Sequence, residues 1–212
     1  MKILDLGCGL GATSFFLANC YNVKVFAVDL WISSTELHNR VIQHNLEDKV
    51  IPLNLDITQK IPFANDYFDA IFCMDCIHYF GGNTDFWEHL LPHLKNNGRL
   101  CIGSPCFSDE FSEQTLNSLP FVYDDGTDLW PTEFSKYHSP QWWKKLLEKT
   151  RKFDSIESFE IEDGIIYWED DVLNNLENNG DIETALTDAA QYTFREDGIP
   201  YLTHFVLSAI KK

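Results

Sequence analysis

The chain has 212 residues, 44% hydrophobic and 23% charged, which is enough for one domain to bury a full core. Its formal net charge of −17 opposes both a phosphate backbone and an anionic membrane surface, so neither a nucleic acid nor a membrane is an expected partner. No apolar run approaches the length of a membrane span and no signal peptide opens the sequence, so a cytoplasmic protein is expected.

Lys2–Leu6 predicts a first strand, followed at once by glycines. Residues 11–20 predict a helix that presents Phe15, Phe16 and Leu17 to a sheet, and 24–28 predict a second strand. Ser33 and Glu36 have capping-box spacing and start the next helix. Strands are expected at 50–55 and Phe68–Met74, and Asn97-Gly98 turns the chain into a strand at 99–103. The stretch 109–137 predicts a helix and then a long loop. Ser139 with Pro140 starts a further helix whose buried face carries Trp143, Leu146 and Leu147. Strands follow at 155–161 and 201–210, with helices at 165–177 and 182–195 between them. Eleven acidic residues and one basic residue fall in 162–197. Strands alternating with helices predict an α/β fold with a mostly parallel sheet. The expectation is one domain over residues 1–212, with 162–198 as a helical insertion. The cysteines Cys8, Cys20, Cys73, Cys76, Cys101 and Cys106 mostly lie in apolar segments and are expected as reduced thiols.

The strongest chemical signal is Asp5-Leu6-Gly7-Cys8-Gly9-Leu10-Gly11, a strand running through a glycine turn into a helix. Glycines there permit positive φ and let a ligand approach the backbone. Asp29 ends the second strand, where a carboxylate can accept from ribose hydroxyls. Asp56 follows the third strand, within reach of an adenine edge.

On these residues the chain resembles the class I S-adenosylmethionine (SAM)-dependent methyltransferases, in particular their small-molecule group. The glycine loop is similar to that family's first motif, and Val28-Asp29 to its acidic second-strand position. Leu55-Asp56-Ile57 is similar to its adenine-contacting segment, and Ile61-Pro62-Phe63 with Asp66, Phe68 and Asp69 to its lead into strand four. Residues 72–79 resemble the end of that strand, and 91–103 the turn into strand five, with Asn96-Asn97-Gly98 in place of the usual Pro-Gly. The resemblance implies a doubly wound, Rossmann-like three-layer sandwich on seven strands. The last strand would be antiparallel and inserted beside strand five. It implies SAM as cofactor, held by Asp5, Gly7, Cys8, Gly9, Gly11, Asp29, Leu30, Asp56, Ile57 and Met74. No metal site is expected, and a homodimer is one expected assembly.

Gly7-x-Gly9-x-x-Ala12 also satisfies the dinucleotide-binding pattern, so a nicotinamide oxidoreductase is the rival reading. Asp5, the third glycine Gly11 and the Pro-Phe…Phe-Asp lead favour SAM. A carboxylate at the loop suits the ammonium of SAM better than a pyrophosphate. A third reading keeps the fold as a non-catalytic SAM-binding module.

His78, after strand four at the carboxyl edge of the sheet, is the first candidate base, and His138 beside the Ser139 cap is the second. The plain alternatives are a helix-start residue and a solvated loop residue. Cys73-x-x-Cys76 suggests redox or zinc chemistry by spacing alone. Its place in an apolar strand favours structural thiols. Ser104-Pro105-Cys106 has the Pro-Cys of cytosine-5 methyltransferases, but after strand five rather than strand four. The aromatics Trp130, Tyr137, Trp142, Trp143, Tyr167 and Trp168 suit a cationic amine acceptor or ordinary packing. Family members usually carry a helix or two before strand one. Here three readings stay open: a more open site, a lid from a partner subunit or from 162–197, or a fragment with a misassigned start.

Overall fold

The computed structural model describes residues 1–116, 136–161 and 201–212. The helices expected at 165–177 and 182–195, the candidate lid, Trp130, Tyr167 and Trp168 lie outside these residues. In chain order the elements are β1 (Lys2–Leu6), α1 (Ala12–Cys20), β2 (Lys24–Asp29), α2 (Ser34–Gln43), β3 (Val50–Asn54) and β4 (Phe68–Met74). They continue with α3 (Ile77–Phe80), α4 (Thr84–Leu90), a 3-10 turn (Leu91–His93), β5 (Leu94–Phe107), α5 (Glu113–Leu116), α6 (Pro140–Thr150), β6 (Phe153–Ile161) and β7 (Leu202–Lys211).

The strands form one seven-stranded sheet in the order β3-β2-β1-β4-β5-β7-β6. Parallel ladders join β3, β2, β1, β4 and β5. The last strand enters beside β5 as expected. Its contacts run in reverse: Lys211 reaches the Leu94 carbonyl, while Ser208 accepts from Arg99 at 2.7 Å. β7 is therefore antiparallel to β5, and the doubly wound, Rossmann-like architecture is present.

Parallel strands covered on both faces must be apolar on both, and β1 and β2 are buried at every residue after the first. Ile3, Val25 and Ala27 face the α1–α2 side, where they pack with Phe15, Leu17, Leu37 and Val41. Phe26 points the other way, into edge-to-face contact with Phe63, Tyr67 and Phe68. Ser33 caps α2 by accepting from the Glu36 N–H at 3.1 Å, and Asn83 caps α4 by accepting from Phe86 at 3.0 Å.

Strand five differs from its expected span. It runs over fourteen residues, and Asn97, with φ +60, is a bulge inside it rather than a turn before it. The ladder steps from Phe68–Leu94 to Ala70–Arg99, so the β5 side carries the extra residues. Ser104-Pro105-Cys106 consequently lies within β5, and Cys106 is fully buried.

By contacts the chain divides into two units. The first comprises Met1–Ser104, Lys144–Glu157 and Leu207–Lys212, and the second Pro105–Trp143 and Ser158–Val206. In the second, Glu110 accepts from the Ser139 N–H at 2.6 Å, and Phe111 packs against Phe107 and Tyr201. No helix among the described residues is long and apolar enough to cross a membrane.

Candidate functional site

In the first unit the chain reverses direction across the sheet at β1. The first crossover carries it outward to β2 and β3, and the return places β4 on the other side. Strand ends at such a switch point leave a crevice at their carboxyl edge. A cavity of about 460 Å³ occupies that edge, within the range of small-molecule sites. Its walls come from successive strand ends: Gly7 and Gly9 after β1, Val28 to Trp31 at β2, Leu55 to Thr58 after β3, and Asp75, Cys76, Tyr79 and Phe80 after β4.

The glycine loop has the backbone its sequence demands. Gly7 and Gly9 have φ +58 and +52, in the left-handed region that side chains disfavour. A methyl on Gly7 would fall 2.5 Å from Cys76 Sγ, whereas one on Gly9 would meet nothing within 4 Å. Gly7 is thus glycine for packing, and Gly9 leaves backbone bare to the cavity.

Asp29 holds this loop to the next. One carboxylate oxygen accepts from the Gly9 N–H at 2.9 Å, and the other from the Trp31 and Ile32 N–H groups at 2.8 and 2.9 Å. It is buried yet still lines the cavity. Asp56 accepts from the Thr58 hydroxyl at 2.6 Å and its N–H at 2.9 Å, and these bonds hold its carboxyl below the ordinary range.

Of the other residues expected to hold a cofactor, Leu30 and Ile57 also line the cavity, whereas Asp5, Cys8, Gly11 and Met74 are not in its lining. Asp5 sits beneath the loop, 1% exposed, accepting from Ser14 Oγ at 2.6 Å. Burial, reinforced by the Asp29 charge and opposed by the Ser14 bond, raises its pKa to about 7. Gly11 is the N-cap of α1, and Cys8 is buried, its thiol pushed up by burial. Met74 ends β4 in register with Gly103, one residue before the lining begins.

The candidate bases sit differently from one another. His78 lies in α3, buried, with Nδ1 3.3 Å from Ser104 Oγ and its ring against Tyr79; Tyr79 lines the cavity and His78 does not. His138 belongs to the second unit, stacked on Trp142 at 3.6 Å with Nδ1 3.4 Å from Glu110. Among the described residues no group of three or more His, Cys, Asp or Glu side chains could hold a metal ion.

Sequence reading missed Trp31 and Tyr79. They are 71% and 41% exposed and meet edge to face at 5.1 Å on the cavity's lip. A lone Trp after a strand carries no periodic signal. Only the solvent-exposed apolar surface at a strand end marks it.

The fold is Rossmann-like, with a ligand-sized cavity at the carboxyl edge of its sheet. Residues 3–98 match the family described as a methyltransferase domain. It is similar to phosphoethanolamine N-methyltransferase 1 of Triticum aestivum, 31% identical over 150 residues that take in 69% of this chain and 27% of that protein. The chain spans about a quarter of the length of the first curated relatives it matches, 27% of one and 21% of the next two. Phosphoethanolamine N-methyltransferase 2 of Haemonchus contortus, solved with SAM, superposes with TM-score 0.68 at 18% identity, over 100% of this chain and 48% of that one. Geranyl diphosphate C-methyltransferase of Streptomyces coelicolor A3(2), solved with S-adenosyl-L-homocysteine, gives 0.69 at 17% identity, over 100% and 71%.

Proposed function

We propose that this chain binds SAM in the cavity at the carboxyl edge of its sheet and transfers the methyl group to a small-molecule acceptor. The carrying observation is the convergence of bare backbone at Gly9 with Asp29 and Asp56 in one cavity. SAM supplies an electrophilic methyl on a sulfonium that is already a good leaving group. The protein's own part is alignment and exclusion of water. Gly9 lets the ligand lie against backbone. Asp29 is held rigidly by three N–H groups and keeps lone pairs for ribose hydroxyls. Asp56, kept ionised by Thr58, would take the adenine end.

For the acceptor we favour a cationic or amine-bearing metabolite over a nucleic acid. The net charge of −17 supports this, as does the relatedness to the phosphoethanolamine enzyme. An amine arriving neutral needs no base. For an oxygen or carbon acceptor, His78, next to Tyr79 of the wall, is the residue we assign as base. His78→Gln would then lower kcat about a hundredfold with SAM affinity unchanged, and an unchanged kcat removes it. Buried free thiols at Cys8, Cys73, Cys76 and Cys106 favour a reducing compartment, the cytoplasm. A homodimer is the assembly proposed, to be checked by light scattering.

The deciding experiment is calorimetric titration of the chain with SAM, S-adenosylhomocysteine and NADH, followed by a metabolite screen for release of S-adenosylhomocysteine. Binding of SAM and its product, without NADH, is expected. NADH binding with neither SAM ligand overturns the reading. SAM binding with no turnover of any metabolite leaves a non-catalytic SAM-binding module.

A further inference from the structure

The cavity's wall contains a chemical group that methyl transfer does not use. Cys73 is the second-last residue of β4, and Cys76 is the N-cap of α3. Between them Asp75 takes φ +56, which turns the chain back on itself. The two sulfurs end 3.1 Å apart. Cys76 Sγ also donates to the Leu6 carbonyl at 3.1 Å. A chain of S–H donors can thus run from Cys73 to Cys76 to the last residue of β1, directly before Gly7. Cys73 is fully buried; Cys76 is 7% exposed and lines the cavity.

We propose that Cys73 and Cys76 form an oxidisable dithiol, a modification site for peroxides in the wall of the cofactor cavity, and that its disulfide impairs cofactor binding. This rests on the cavity being the SAM site. Peroxide reaches Cys76 through the cavity. The thiol sulfur bonds to one peroxide oxygen, the O–O bond breaks, and water leaves Cys76 as a sulfenic acid. Cys73 sulfur then attacks Cys76 sulfur. The S–S bond forms, the S–O bond breaks, and the hydroxyl leaves as water with the Cys73 proton. The two sulfurs lose two electrons in all, and the peroxide is reduced to water. Burial pushes the Cys73 thiol well up, which keeps Cys73 as a thiol and makes the second step the slower one. The short sulfur separation offsets that slowness by proximity.

The consequence for the cavity follows from contacts. A disulfide needs its sulfurs about 2.05 Å apart, so Cys76 Sγ shifts by about an ångström. That sulfur fills the space where a methyl on Gly7 would stand. The shift therefore loosens the packing under the glycine loop. Oxidation also removes the proton that the Leu6 carbonyl accepts. Both effects act on the loop that carries Gly9.

The test uses the full chain, reduced with dithiothreitol and then treated with hydrogen peroxide. Intact mass is expected to fall by about 2 Da, with the new bond mapped to a peptide holding Cys73 and Cys76. SAM affinity should fall at least about tenfold and return on reduction, and saturating SAM should slow the oxidation. Cys73→Ala should stop at a Cys76 sulfenic acid trapped by dimedone. A mapped disulfide with unchanged SAM affinity overturns the proposal. So does oxidation of exposed Cys20 while the pair stays reduced. If the reduced chain fails to bind SAM, the cofactor reading falls, and the mapped bond still reports on the dithiol.

Discussion

At the residue scale two aspartates at strand ends do different work. Asp29 spends its oxygens on loop N–H groups, so Asp29→Ala removes a brace as well as a ligand contact. We expect SAM binding to weaken by about 1.5–3 kcal/mol, with a similar loss in unfolding free energy from the stranded N–H groups. Asp29→Asn keeps an acceptor oxygen and should recover part of the stability. Calorimetry and urea unfolding on both variants separate the two effects, and an unchanged SAM affinity in Asp29→Ala removes the ligand role. Asp5 matters through its proton. Its folded pKa of about 7 lies above the ordinary 3.8, so the folded state holds the proton more tightly. The stability it contributes is present below about pH 4 and lost as pH rises through about 7, by at most ~4 kcal/mol at 1.36 kcal/mol per unit. Asp56 and Asp69, whose carboxyls are lowered, act with the opposite sign and lose stability as pH falls. Only the difference between wild type and Asp5→Asn isolates Asp5. That difference, from urea unfolding at pH 5 and pH 8, should shift in favour of the variant at the higher pH, and a constant difference refutes the raised pKa. The Asp5-to-Gly11 motif marked this position by type. Its burial and the Ser14 bond were invisible, because Ser14 reads as an ordinary helix residue.

At the element scale, legibility tracks how locally each element is determined. The Ser33 cap was readable because the bond it makes closes within three residues. Ser33→Ala should cost about 1 kcal/mol, seen as a lower denaturant midpoint at unchanged slope. A midpoint that does not move would show the α2 N-terminus to be held by packing alone. β1 and Phe68–Met74 were also readable, since strands buried on both faces are continuous apolar runs. β5 was not readable at its start. Leu94, Lys95, Asn96 and Asn97 carry the composition of a turn, and their strand pairing depends on Phe68 across the sheet. The span of α4 was likewise hidden: seven residues show too little periodicity to mark it, although Phe86, Trp87 and Leu90 are buried and the Trp87 indole donates to the Gly81 carbonyl at 2.8 Å. The site divides in the same way. The glycine loop and the two aspartates are fixed by motif spacing, whereas Trp31, Tyr79 and Cys76 join the cavity only through the tertiary approach of three strand ends.

For the whole molecule the consequence is thermodynamic linkage. Every described wall residue of the cavity belongs to the first unit, from Gly7 to Phe80. A ligand bound there stabilises the folded state of that unit by mass action, in proportion to RT ln(1 + [L]/Kd). At a SAM concentration one hundred times Kd this is about 2.7 kcal/mol, and a thermal midpoint should rise by several degrees. The same concentration of NADH should leave the midpoint where it was. Amide exchange should locate the gain: protection is expected at 7–11, 29–32, 55–58 and 75–80, where the loop, the Asp29-bound N–H groups and the strand-four turn meet the cavity. β3 itself, Val50–Asn54, should gain less protection, because the cavity is lined by Leu55 to Thr58 after it and by none of its own residues. Protection confined to segments outside this set would mean that SAM binds elsewhere, and the assignment of Gly9, Asp29 and Asp56 would fall with it.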